Sequence, residues 1–301
     1  MAVIALNSPE DWEWRPNFVP DLTAPSDGMD RIIGKYDLKR PPPGSPAGTG
    51  MVSCGLNNCH RKHFVGFLVL MKDGRETIIG QDCGERETGN QWKEIHAVFR
   101  AEQRLHDLRQ AIQNIQDSRV SLLARAKALL EPAARAHESV SKVRAELHKF
   151  QGFWGHIHTV ARMDGRVMGR VEDDGESKRS TGKEAIEVKA RISECSLLLE
   201  DTSAHHRALR FKVVHWLETD LEPAIEAARD DLKALAAVTK QSSELEGHIQ
   251  EAEAFIARSE IFLQQGNLAG LSAIEEYMLA KHQKSNALTR ALRRCSAAHP
   301  S

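Results

Sequence analysis

The chain of 301 residues sets 41 Lys/Arg against 42 Asp/Glu, and its net charge of −1 gives no global basic field that argues for nucleic acid. It is 41% hydrophobic, 5% aromatic and 28% charged, a lean toward Ala, Leu, Glu, Arg and Lys that fits extended helical proteins better than compact enzymes. No apolar run approaches membrane-spanning length, and the start, MAVIALNSPEDWEW, lacks the basic flank and apolar stretch of a secretory leader, so a soluble cytoplasmic protein with reduced cysteines is expected.

Residues 1–50 hold eight of the eleven prolines and end in KRPPPGSPAGTG, which reads as an extended arm and a Pro-rich linker. Within the arm, MDRIIGKYDL is a candidate strand for whatever follows. Trp12 and Trp14 stand in PEDWEWRP, either as a docking motif or, the favoured reading, as cover for a neighbouring core.

Residues 51–90 concentrate the ligand chemistry. Cys54 and Cys59 bracket GLNN, whose Gly and Asn residues tolerate the positive φ of a tight knuckle. FVGFLVL, the turn KDGR and ETIIG then predict a β-hairpin. Cys83 follows in GQDCG at the start of a helix, where the macrodipole favours a thiolate. Knuckle, hairpin and helix start, in that order, resemble the treble-clef zinc fingers over residues 51–95. The knuckle spacing is four rather than two, and Gly84, Glu85, Arg86 and Glu87 supply no second Cys or His after Cys83. A tetrahedral site therefore needs a fourth ligand from His63 or His60. His63 is preferred, because three residues after Cys59 give it room to fold back. The expected site is a closed, structural zinc held by Cys54, Cys59, His63 and Cys83, and the rival reading is ordinary buried cysteines with surface histidines.

Residues 91–150 form the first helical arm. From Leu105 to Phe150 apolar residues recur in steps of three and four, and only Arg119 breaks the seam. A second arm is expected over 184–265, with Leu209, Val213, Leu217, Leu221, Ile225, Ala228, Leu232 and Leu235 at similar spacing. LEPA occurs in both, at 130–133 and 221–224, and an antiparallel register with a residue-number sum of 355 sets the two prolines level. The first arm is net +3 (residues 84–150) and the second −7 (residues 184–265), which favours their pairing. The fold class that follows is mainly α: a treble-clef-like β-hairpin zinc domain, a long antiparallel helical or coiled-coil hairpin, a small α+β insert at its tip and a C-terminal helix. A compact helical bundle broken at the prolines is the rival.

Between the arms, residues 151–183 are read as non-helical, with a β-hairpin turning at Asp164–Gly165 and a polar loop, EDDGESKRSTG. GESKRSTGK fails as a phosphate loop because its glycines are seven apart and Glu184 follows Lys183. His156 and His158, alternating on one face of a strand, are read as ordinary histidines, as are His205 and His206. Cys195 is read as a core thiol and Cys295 as a tail thiol. Residues 266–301 form a C-terminal helix with five Lys/Arg opposed only by Glu275 and Glu276.

No nucleophile–base pair or open metal position can be named, so no enzymatic activity is expected. The expected function is an accessory or regulatory factor on a nucleic-acid-processing assembly. A zinc head on a helical hairpin is similar in outline to the factors that enter the secondary channel of RNA polymerase, without sharing a motif with them. Candidate phosphate contacts are Arg61 and Lys62 beside the knuckle and Lys281, Lys284, Arg290, Arg293 and Arg294 in the C-terminal helix. A protein partner is expected and DNA or RNA is a possible second, with neither membrane nor small-molecule substrate. The alternative is a protein-interaction scaffold or inhibitor without nucleic-acid contact.

Overall fold

A computed structural model describes residues 4–26, 28–46, 48–150, 153–170 and 186–279. The chain divides into two compact units, Met1–Ala111 and Ile112–Ser301. Among the described residues no helix is long and apolar enough to cross a membrane.

The first unit is built on a four-stranded sheet. Strand β1 (Ile4–Leu6) pairs in parallel with β2 (Met29–Asp37), after a one-turn helix α1 (Glu10–Glu13). Two short strands, β3 (Val52–Ser53) and β4 (Lys62–His63), frame the knuckle. Strands β5 (Val65–Met71) and β6 (Glu76–Gly80) are the predicted hairpin, closed by the Met71 amide donating to the Arg75 carbonyl at 2.8 Å. Strand β2 lies antiparallel to β5. The proline-rich arm is therefore part of this fold, and MDRIIGKYDL supplies its second strand.

Each face of the sheet has its own core. Leu6, Trp12, Tyr36, Leu38, Leu68 and Ile78 pack together on one side, with the Trp12 and Tyr36 rings 4.8 Å apart. Trp12 covers this core as expected, but Trp14, for which the same was expected, is 84% exposed. On the other side Met29, Leu56, Phe67, Ile79, Cys83, Trp92 and Phe99 pack together. Trp92 belongs to the long helix that follows α2 (Gln81–Thr88), and an added Cβ on Gly84 would stand 2.4 Å from its ring.

Helix α3 runs from Asn90 to His148, straight through Pro132. Its predicted seam is its buried face: Ile112, Leu122, Ala126, Ala133, Val140, Val143 and Leu147 are all buried. Arg119, the one break in that seam, gives a guanidinium N–H to Glu222 at 3.2 Å.

The second unit departs from the sequence expectations, first in the insert. Residues 153–162 are helical (α4, Phe153–Arg162) rather than extended. Asp164 (φ 55°) and Gly165 (φ 73°) end that helix, with the Gly165 amide donating to the Val160 carbonyl at 2.9 Å, a glycine stop rather than a hairpin turn. An added Cβ on Gly165 would meet the Ile192 carbonyl oxygen at 2.0 Å, so glycine is required there. The hairpin that does form pairs β7 (Arg166–Arg170) with β8 (Ile186–Arg191). Residues 171–185, which hold the expected polar loop, fall outside the described residues. On a helix His156 and His158 are two positions apart and do not face one way.

The second stretch is not one arm. After a 3-10 turn at Cys195–Leu198 it runs as α5 (Ser203–Arg207), a π-helical segment (Ala208–Asp220) and α6 (Leu221–Ala228). It then reverses into α7 (Leu232–Ser243), where Asp231 caps the new helix by accepting from the amides of Lys233 and Ala234. Helices α8 (Leu245–Leu263) and α9 (Gln265–Leu279) follow.

Of the expected second arm, the part up to residue 228 runs antiparallel to α3. Gln116 bonds Glu222 at 3.3 Å, His137 bonds Thr202 at 2.8 Å, and Arg144 donates to the carbonyls of Leu197 and Glu200. A sum of 355 would instead have set Gln116 against Thr239. Arg125 reaches Glu246 and Glu253 of α8, whose later residues Phe255 and Phe262 pack in one cluster with Val140, Val143 and Leu147, so α8 runs in the same direction as α3. The two-arm coiled-coil register is thus replaced by a three-stranded helical arrangement. The spacing did identify buried faces, but identical spacing serves one neighbour or two, and the reversal at Arg229–Asp231 decides which.

Candidate metal centre

The knuckle is shaped by backbone that few residue types accept. Asn57 (φ 52°), Asn58 (φ 51°) and His60 (φ 49°) are left-handed, which Asn tolerates better than most side chains. The Cys59 amide donates to Leu56 O at 3.0 Å, the His60 amide to Cys54 O at 3.2 Å and the Cys54 amide to Arg61 O at 2.9 Å. The N-terminal segment braces it from outside: the Leu22 amide donates to Gly55 O at 2.7 Å, and Asn57 Oδ1 accepts from the Ala24 amide at 2.8 Å. Cys83 arrives from the first turn of α2, directly after β6.

These elements bring three cysteines together. The Sγ atoms of Cys54, Cys59 and Cys83 all lie within 4.8 Å of one another, and those of Cys59 and Cys83 are 3.4 Å apart. Thiolates around a tetrahedral zinc at 2.3 Å stand about 3.8 Å apart, so the cluster has the dimensions of a metal site. Cys54 and Cys83 are buried and Cys59 is half-buried.

The electrostatics suit a bound cation. Burial pushes the Cys83 thiol up to about 12, reinforced by its hydrogen bond with Cys59 and by the charge of Cys54. Burial also raises Cys54, against the opposing amides of Leu56 and Gly80. For Cys59 burial is outweighed by the Arg61 amide, by Cys83 and by Arg86, so its thiol is lowered. Arg86 Nη2 donates to Cys59 Sγ at 3.0 Å. Thiols that resist ionising side by side are ionised by a metal placed among them.

The two candidate histidines differ sharply. His60 is exposed and turned to Asp21, at 3.7 Å. His63 lies outside the three-thiol group, but its Nε2 is buried and has no hydrogen-bond partner. Its ring borders the site: an added Cβ on Gly80 would lie 3.0 Å from His63 Nε2, and the Gly80 amide bonds Cys54. Burial lowers the His63 pKa, keeping the ring neutral as a ligand requires. Its other nitrogen, Nδ1, is 3.1 Å from the hydroxyl of buried Tyr36. Such an outer partner fixes the tautomer of a ligating imidazole.

Tyr36 and Arg86 were missed from the sequence. Arg86 follows Cys83 by three helical positions, a spacing that places both on one face. Tyr36 had no local signal, because its contact with His63 depends on strand β2 joining the sheet.

Of the other candidates, Arg61 and Lys62 are exposed at the knuckle, and Lys281, Lys284, Arg290, Arg293 and Arg294 lie outside the described residues, as does Cys295. Cys195 is buried in the second unit's core, where burial pushes its thiol up to about 11. Comparison with protein families, curated proteins and solved structures finds no match.

Proposed function

We infer that the chain is a non-enzymatic, zinc-stabilised helical protein that acts as an accessory or regulatory factor on a nucleic-acid-processing assembly. The observation that carries the zinc assignment is the cluster of three thiols bordered by the buried, unpartnered Nε2 of His63. Cys54, Cys59, Cys83 and His63 would fill all four positions of a tetrahedral ion, leaving none for substrate, so the metal would supply rigidity rather than chemistry. His63→Gln is expected to lower zinc affinity by more than about 100-fold, beyond the loss typical of an outer partner. His60→Gln should leave it unchanged, and zinc titration against a chromophoric chelator measures both.

Arg61 and Lys62, exposed on that rigid knuckle, support the nucleic-acid half of the reading. Fluorescence anisotropy of the full chain with DNA and RNA tests it. Binding at 50 mM salt that weakens steeply by 200 mM is expected of phosphate contacts. No binding at 50 mM would transfer the function to the second reading, a protein-interaction scaffold. The exposed apolar side chains favour that alternative: Trp14 is 84% and Val120 78% exposed.

A further inference from the structure

Many cations of the described residues are answered by carboxylates, as Arg119 is by Glu222, Arg125 by Glu246 and Arg258 by Glu200. Four cations beside the knuckle are not. Lys39, Arg40, Arg61 and Lys62 are exposed, and none forms an ion pair among the described residues.

The fold sets the two stretches of chain that carry them, 39–40 and 61–62, beside each other. The Leu38 amide donates to the Phe64 carbonyl at 2.9 Å, setting the end of β2 beside the end of β4. The Arg40 guanidinium lies over the Phe64 ring, 5.9 Å from its centroid. His63 turns inward to Tyr36, and alternation along extended chain then leaves Lys62 and Phe64 on the outer side, while Arg61, which shares His63's parity, is exposed on the knuckle itself. The Arg61 carbonyl accepts from the Cys54 amide, so its backbone is tied to the metal knuckle. Asp37, opposite Val65 in the sheet, is the acidic residue next to the group in sequence.

Adjacent like charges repel, and an anion relieves that repulsion. A continuous polyanion can follow cations carried on two adjacent stretches of chain. A protein surface would have to converge several carboxylates that repel one another. Phe64 is half-buried and covered by Arg40, which leaves little open ring for a base to stack upon. We propose that Lys39, Arg40, Arg61 and Lys62 form a surface that takes the phosphodiester backbone of a nucleic acid without reading its bases. This surface rests on the nucleic-acid reading given above and assigns its contact to the zinc unit, with Lys39 and Arg40 as new members.

The test compares the zinc-loaded full chain with its Lys39→Gln/Arg40→Gln/Arg61→Gln/Lys62→Gln variant on single-stranded DNA, duplex DNA and RNA. Four phosphate contacts give a log–log salt slope of roughly −3.6 on duplex, or about a hundred-fold loss of affinity between 50 and 200 mM salt. The wild type is expected to show that slope with little sequence preference, and the variant to lose most of it while keeping its zinc. A variant with undiminished slope and affinity overturns the surface and leaves the function reading standing. A wild type that binds none of the three probes at 50 mM removes both. If the fourfold variant loses zinc, Lys39→Gln/Arg40→Gln, outside the knuckle, takes its place, with a slope expected to fall by roughly 2. An unchanged slope there overturns the proposal equally.

Discussion

Cys54→Ser is expected to abolish metal binding and to destabilise the first unit by more than about 4 kcal/mol, the range associated with losing a metal. Cys54 is fully buried, and its amide, carbonyl and thiol all take part in the knuckle. Serine keeps the size but offers a hydroxyl that does not ionise to a soft ligand. The left-handed residues Asn57, Asn58 and His60 would then have no bound ion to offset their strain. The binding free energy of structural zinc in peptides, roughly 10–16 kcal/mol, is an upper bound here, since the first unit also has apolar cores of its own. The loss should accordingly be local before it is global. Amides of residues 54–63 and 81–88 should exchange with solvent faster, while β2 and β5 stay protected by Trp12, Tyr36 and Leu68. A melting shift of more than about 15 °C is expected for the first unit. Cys54→Ser protein that keeps one equivalent of zinc and an unchanged melting temperature would show that the cluster is not the site.

Phe262→Ala should cost roughly 3–5 kcal/mol and leave zinc content untouched. Phe262 is fully buried in a cluster to which α3, α4, β7, the Ile192–Leu198 segment, α8 and α9 all contribute, through residues such as Leu147, Ile157, Val167, Ile192 and Leu271. Deleting the ring opens a cavity among elements that hold one another in place, so partial collapse recovers little of the loss. Urea unfolding followed by far-ultraviolet circular dichroism reads the change. A loss below about 1 kcal/mol would mean that this side chain is not enclosed as described.

The three-cysteine cluster was legible because it is local. Knuckle, hairpin turn and helix start occupy thirty contiguous residues, Cys54 to Cys83, and their turn residues announce themselves. The long helix was legible because its seam repeats from Ile112 to Leu147 with Arg119 as the one break. Long-range relations were less so. That β2 completes the sheet, and so brings Tyr36 to His63 and Arg40 to Phe64, follows from pairing with β5 rather than from anything near residue 36. The second arm misled because Leu209, Val213, Leu217 and Leu221 continue without a visible break into Ala228, and LEPA seemed to fix a register. The informative residue was Asp231, whose capping carboxylate starts a new helix after a reversal. The helix at Phe153–Arg162 hid behind two histidines that alternate like strand residues, whereas Ile157 and Val160, three apart, are the pair that is buried.

X-ray absorption at the zinc edge, recorded on the purified 301-residue chain, tests the central claim most directly. Three sulfurs near 2.3 Å and one nitrogen near 2.0–2.1 Å are expected, with one zinc per chain. In His63→Gln the nitrogen shell should be lost or replaced by oxygen, while the three sulfurs remain. Protein without zinc, or zinc bound by fewer than three sulfurs, would contradict the account.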